Sequence, residues 1–259
     1  MARFKLIIEY EGTRFNGWQF QKNQPTIQGK LMETCREVFG TDKFEIYGSG
    51  RTDAGVHALK QTAHLEVKTM LAPHIIKMKI NDLLPADINV LNVEKTGKNF
   101  HARHDAVSRS YIYHIAKRRT AFGKKYVWWI KDELNVEKMN EAASLFSGLK
   151  DFASFGNDDP EEKSTKVKLE FCRIYENENS ILIHISGSHF LWKMVRRMVG
   201  VLVEVGRGKL SVEKVNSYLN NYSKEPAKFT APPSGLYLEN VYYKEDKIET
   251  DPHFILNLI

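Results

Sequence analysis

Cysteine is almost missing. The 259 residues hold two, Cys35 and Cys172, far apart in the chain. That spacing gives neither a disulfide framework nor a metal-ligand pattern. Both lie inside apolar patterns, which reads as buried free thiols in a reducing compartment. No apolar run is long enough to cross a bilayer. Met1-Ala2-Arg3-Phe4-Lys5 opens straight into a strand pattern, with nothing of a signal peptide about it. The expectation is a cytoplasmic protein with no membrane contact. Cofactor fingerprints are missing as well. No Gly-x-Gly-x-x-Gly follows a strand, and no P-loop spacing occurs. His, Cys and carboxylates do not cluster with ligand spacing. There is no nucleophile elbow, although a Ser/His/Asp triad without one stays open. No cofactor and no metal are expected, so any chemistry falls to side chains.

Positive charge is in excess. The formal net charge is +6 and the sequence pI is near 9.1, which favours a polyanionic partner, most simply nucleic acid. Aromatic residues make up 11%. Most serve a core, but they also supply surfaces on which bases stack. With 42% hydrophobic and 27% charged residues the chain is globular. Its length fits one large domain or two small ones sharing a core.

Taken in order, Phe4, Leu6, Ile8 and Tyr10 alternate with polar residues, as in a half-buried strand. A loop follows, from Glu11 to Gln19, in which Arg14 and Gln19 are candidate RNA contacts beside the packing aromatics Phe15 and Trp18. Thr26 caps a helix that ends at Gly40. Strands at about 43–48 and 60–67, a helix ending at Pro85 and a strand at 88–93 complete a β-α-β-β-α-β order, like that of many RNA-binding domains. A second unit starts near residue 100. Ser108 to Ile115 alternates with period two. The segment Lys117-Arg118-Arg119 with Lys124-Lys125 is either a solvated loop or a set of phosphate contacts. Val136–Phe146 reads as an amphipathic helix, residues 157–163 as a polar loop, and 167–171 and 181–185 as paired strands. A helix follows Ser186-Gly187-Ser188-His189, its apolar face running from Leu191 to Val205. Lys193, Arg196 and Arg197 fall in its first turns, against the helix dipole. They are either solvated or part of an anion site. A helix at 211–221 and a strand from Leu236 to Tyr243 close the chain. The fold class expected is α+β: two pseudo-symmetric α/β halves, residues 1–103 and 104–259, sharing an antiparallel sheet with a cleft between them.

The chain is organised around Gly48-Ser49-Gly50-Arg51-Thr52-Asp53-Ala54-Gly55-Val56-His57-Ala58. Three glycines in eight residues exclude a helix interior or a core strand. A cation, a carboxylate and an imidazole sit on this glycine-rich frame between two strands. A plain turn, a phosphate cradle and a catalytic carboxylate beside a cation all fit the composition.

Gly50 to Ala58 resembles the signature of the tRNA pseudouridine synthase A family. So do Tyr10-Glu11-Gly12 through Gly17-Trp18-Gln19, Arg109-Ser110-Tyr111-Ile112-Tyr113, Asp151-Phe152-Ala153-Ser154-Phe155, Phe190 through Arg196 with Gly200, and Ala231-Pro232 with Gly235-Leu236-Tyr237-Leu238. These segments occur in family order across nearly the whole chain. The resemblance implies the pseudouridine synthase fold and isomerisation of uridine to pseudouridine at positions 38, 39 or 40 of the tRNA anticodon stem-loop. It implies a homodimer and no cofactor. Asp53 would be the catalytic aspartate, attacking C1′ or promoting elimination there. Arg51 would hold its charge or prop the RNA open. Tyr111 would stack on the detached base. Arg196 would pair with Asp53 and a phosphate. Lys193, Arg197 and the 117–125 segment would set register on phosphates, and Arg14, Gln19 and His57 are further RNA-contact candidates. A non-catalytic RNA-binding module, a nucleosidase and a general polyanion scaffold are the rival classes.

Overall fold

The computed structural model describes residues 1–156 and 164–252; the expected polar loop at 157–163 lies outside the described residues. The chain forms two compact units. One is Met1–Val107 with Tyr237–Lys247; the other is Ser108–Leu236 with the segment from Ile248.

The first unit contains β1 (Ala2–Tyr10), α1 (Ile27–Phe39), β2 (Phe44–Gly48), β3 (His57–Val67), α2 (Pro73–Leu83) and β4 (Ile88–Thr96). Phe4, Leu6, Ile8 and Tyr10 of β1 are buried while the residues between them are not. This is the period-two pattern of a sheet covered on one face. The Thr26 Oγ1 accepts the Gly29 amide at 3.2 Å and starts α1, and Gly40 ends it in the left-handed region at φ 61°. Ile27, Leu31 and Cys35 form its buried stripe. β1 lies antiparallel to β4 and β3, with Leu6 opposite both Val93 and Ala63. β2 takes the other edge of β3, antiparallel, along residues 63–67. The first two residues of that edge, His57 and Ala58, remain for a later strand.

The second unit contains β5 (Ser108–Ala116), β6 (Trp128–Trp129), α3 (Val136–Ser144), β7 (Gly148–Asp151), α4 (Ala153–Gly156), β8 (Lys166–Glu176), β9 (Ser180–Gly187), α5 (Met194–Gly206) and α6 (Val212–Asn220). Its antiparallel strands run in the order β5-β9-β8-β7, with β6 pairing parallel to the end of β5. Phe146, Phe152 and Phe155 pack ring on ring at 5.4 to 6.1 Å. α5 starts at Met194, later than its apolar pattern suggests. The Met194 amide bonds to the Leu191 carbonyl at 3.0 Å, and Lys193 is left-handed at φ 58°. A turn therefore precedes the helix, and Lys193 stands before its first turn rather than in it. α5 is buried on most of its circumference, including Arg197.

The last strand, β10 (Leu236–Tyr242), returns to the first unit. It runs parallel to β3, with Tyr237 opposite His57 and Leu238 opposite Ala58. It pairs with the first two residues of the β3 edge that β2 leaves. Among the described residues no helix is long and apolar enough to cross a membrane.

Candidate active site

The loop from Ser49 to Val56 leaves the end of β2 and enters β3, and it is held on several sides. The Ser49 amide donates to the Thr62 carbonyl at 2.8 Å, and its hydroxyl donates to Gln61 Oε1 at 2.6 Å. Gln61 Nε2 donates in turn to the Gly50 carbonyl at 3.2 Å. Further on, Tyr10 and Thr52 share a buried hydroxyl–hydroxyl bond of 2.8 Å. The Val56 amide closes a turn onto the Asp53 carbonyl at 3.2 Å, with Gly55 at φ 78°. Asp53 itself is half-buried and Arg51 is exposed. The site thus presents a carboxylate from a backbone fixed on both sides of it.

The segment 11–18 supplies the rest of the brace. The Trp18 amide donates to the Thr52 carbonyl at 3.1 Å, and the Gly55 amide donates to the Phe15 carbonyl at 3.2 Å. Gly12 and Gly17 let the two backbones touch. A Cβ at Gly12 would fall 1.9 Å from the Val56 oxygen, and one at Gly17 would fall 2.3 Å from the Thr52 oxygen. Real carbon atoms do not approach that closely, so both positions need glycine. Trp18 is buried beneath the end of β2, its ring filling the space that a Cβ on Gly48 would need. Chain composition marks 11–19 as a loop; that it holds the 49–56 loop in place is visible only in three dimensions.

His57 belongs to the same brace. It is 2% exposed. Its Nδ1 accepts the Gly12 amide at 3.0 Å, and its ring stacks on Tyr237 of β10 at 4.8 Å. An acceptor Nδ1 places the ring proton on Nε2. His57, expected among the RNA contacts, is thus a buried support of the loop. Arg14 is exposed, and both its Nε and Nη2 donate to Asp87 Oδ2, at 2.8 and 2.6 Å. Gln19 lies on the surface beside the exposed Phe20.

The second unit carries the other expected residues. Tyr111 on β5 is half-buried, with its ring edge-on to Phe190 at 5.0 Å. Tyr113, two residues on, is fully buried and donates its hydroxyl to the Pro232 carbonyl at 2.8 Å. Burial pushes its hydroxyl pKa well above the usual tyrosine value. Arg196, half-buried on α5, donates from Nε to the Ala231 carbonyl at 2.8 Å, and the Ala231 amide returns a bond to the Arg196 carbonyl at 3.0 Å. Arg196 and Tyr113 thus clamp the Ala231-Pro232 segment. Lys193 holds its Nζ 3.9 Å from the centre of the Trp192 ring. Arg197, expected among the phosphate contacts, is 6% exposed. Asp53, Arg51, His57, Arg14 and Gln19 belong to the first unit, and Tyr111, Lys193, Arg196 and Arg197 to the second. Among the described residues no group of three His, Cys, Asp or Glu side chains is placed to hold a metal ion.

A family model described as tRNA pseudouridine synthase matches residues 6–105 and 142–244. The tRNA pseudouridine synthase A 2 of Bacillus cereus (strain ZK / E33L) is 39% identical over 246 residues, covering 94% of this chain and all of that one. The tRNA pseudouridine synthase A of Thermodesulfovibrio yellowstonii is 37% identical over 255 residues, with the same coverage. A solved H/ACA RNP bound to a substrate RNA containing 2′-deoxyuridine is similar at a TM-score of 0.33 and 10% identity, over 78% of this chain and 53% of that one. The sequence relatives carry the assignment, and with the α+β fold they place the molecule among the pseudouridine-forming isomerases. The chain belongs to the tRNA pseudouridine synthase A family, whose reaction is the isomerisation of uridine to pseudouridine in tRNA.

Proposed function

We propose that the chain forms pseudouridine at position 38, 39 or 40 of the tRNA anticodon stem-loop, with Asp53 as the nucleophile. The observation that carries this is the setting of Asp53: a half-buried carboxylate on a loop whose flanking residues Thr52 and Val56 are fixed by hydrogen bonds. A stacked uridine hides its glycosidic bond, so the base must leave the helix to be reached. Asp53 then acts at C1′, and the N1–C1′ bond breaks. The uracil turns, C5 bonds to C1′, and the proton lost from C5 balances the one gained at N1. No redox step and no external group enter this balance. Tyr111 lies against the base during the turn. Arg51 supplies positive charge beside the carboxylate, and Arg196 supplies it toward the RNA backbone. The family resemblance further suggests a homodimer, which sedimentation of the purified chain would test.

The test is incubation with unmodified tRNA transcripts carrying uridine at 38, 39 or 40, followed by chemical mapping of pseudouridine. The native chain is expected to give product at one or more of these positions. Asp53→Asn is expected to lower turnover by more than about 10³-fold while tRNA affinity stays within a few fold. Turnover retained in Asp53→Asn, with deamidation excluded by mass spectrometry, would remove Asp53 from the chemistry. Release of free uracil would mark a nucleosidase instead.

A further inference from the structure

The second unit carries a structured basic loop that lies between the two stretches matched by the family model. It joins β5 to β6. Within nine residues it exposes Lys117, Arg118, Arg119, Lys124 and Lys125. At its tip Phe122 is 87% exposed. A phenyl ring in water is an unfavourable place for that much apolar surface, and here the protein holds it there. The Phe122 amide donates to Thr120 Oγ1 at 3.2 Å, and the Thr120 hydroxyl donates back to the Phe122 carbonyl at 2.7 Å. The Tyr126 amide closes the next turn onto Gly123 at 2.9 Å, with Gly123 left-handed at φ 74°. The base of the loop is fixed as well. The Lys117 amide bonds to the Asn179 carbonyl at 2.9 Å, and the Ile130 amide bonds to the Ala116 carbonyl at 3.1 Å. Arg119 lies over the 41% exposed Trp129 ring, 5.9 Å from its centre. Lys117 also pairs with Glu176 of β8.

We propose that this loop binds the RNA substrate outside the reacting nucleotide, with Phe122 stacking on an unpaired base and the surrounding cations on its phosphates. The argument is chemical complementarity. An exposed ring framed by five cations fits a polymer that is anionic along its backbone and aromatic along its bases. A purely anionic partner would leave the ring unused, and an apolar protein partner would bury a strongly charged surface at a cost. Positioning contacts of this kind fix the register and orientation of the RNA, while the chemistry is done elsewhere. The inference rests on the proposed tRNA substrate; the resemblance suggests phosphate contacts for the 117–125 segment, and the base-stacking ring at its tip is what the structure adds.

The experiment measures binding at fixed salt for the native chain, Phe122→Ala and Phe122→Trp, each with full-length unmodified tRNA and with heparin, a polyanion without bases. Phe122→Ala is expected to weaken tRNA binding by about tenfold, the loss of one base–aromatic stack, and to leave heparin binding unchanged. Phe122→Trp is expected to restore tRNA affinity, with added tryptophan fluorescence quenched by tRNA and not by heparin. Equal tRNA affinity in all three proteins would overturn the proposal, as would equal weakening toward both polyanions. A changed sedimentation coefficient in Phe122→Ala with native tRNA affinity would assign the ring to self-association instead. Pseudouridine formation by the native chain on the same tRNA reports separately on the proposed reaction.

Discussion

Tyr111 and Tyr113 stand two residues apart on one strand and have different surroundings. Tyr113 is sealed in the core with its hydroxyl spent on Pro232, while Tyr111 keeps part of its ring at the surface and leans on Phe190. Alternation along β5 puts both on one face; only their neighbours separate them. Tyr111→Phe keeps the ring and its packing, so tRNA affinity is expected to hold. With stacking as its role, kcat is expected to hold as well; a fall of about 10²-fold would instead assign the hydroxyl a proton-transfer step. Full single-turnover rate in Tyr111→Phe would confine the residue to stacking. Asp53 was legible as a carboxylate on a glycine frame. The burial of His57 and Arg197 was not, because an imidazole or guanidinium in a motif carries no mark of whether it faces water or backbone.

At the scale of elements, the contact between 11–18 and 49–56 decides how the carboxylate is held. Gly12→Ala would drive a methyl group into the Val56 carbonyl. A rigid backbone answers such overpacking by shifting, at a cost of about 1–3 kcal/mol. The expected result is a lowered midpoint in urea together with a fall in kcat, since Val56 and Asp53 share a turn. Gly40→Ala is the comparison. Gly40 is left-handed, which Gly12 is not, but nothing lies within 4 Å of its absent Cβ. It should cost about 1 kcal/mol and leave kcat unaltered. A Gly12→Ala enzyme as active as Gly40→Ala would show that the brace does not govern the site. Capping signals made α1 readable from Thr26 to Gly40. The start of α5 was less readable, because Leu191 has the spacing of the helix face yet belongs to the turn before it.

For the whole molecule, two buried imidazoles couple stability to pH. His64 accepts the Ala102 amide at Nδ1, at 3.1 Å, and packs against Tyr47 and His101 at 5.4 and 4.7 Å. Its pKa is lowered to about 4, by burial first and then by His101 and Arg3. His114 bonds through Nε2 to Ser180 at 2.9 Å, and burial lowers its pKa to about 4. Both values lie below the unfolded value of about 6.5. Above that pH both rings are neutral in either state, and their contribution is complete. As pH falls the unfolded chain takes up the protons first, so stability is lost between about 6.5 and about 4 and levels off below. The urea midpoint is expected to drop across that window, and His114→Gln to flatten the drop. An unchanged slope in His114→Gln would mean that His114 is charged in the folded protein. By itself the sequence determined the basic character, the strand and helix periods, the α1 caps and the chemistry of the Gly50–Ala58 loop, because each is set by residues near one another along the chain. Tertiary structure alone decided that Trp18 fills the space at Gly48, that His57 stacks on Tyr237, and that β10 runs parallel to β3. Those contacts join segments tens to nearly two hundred residues apart, and only burial and hydrogen bonding in the finished fold select the partners.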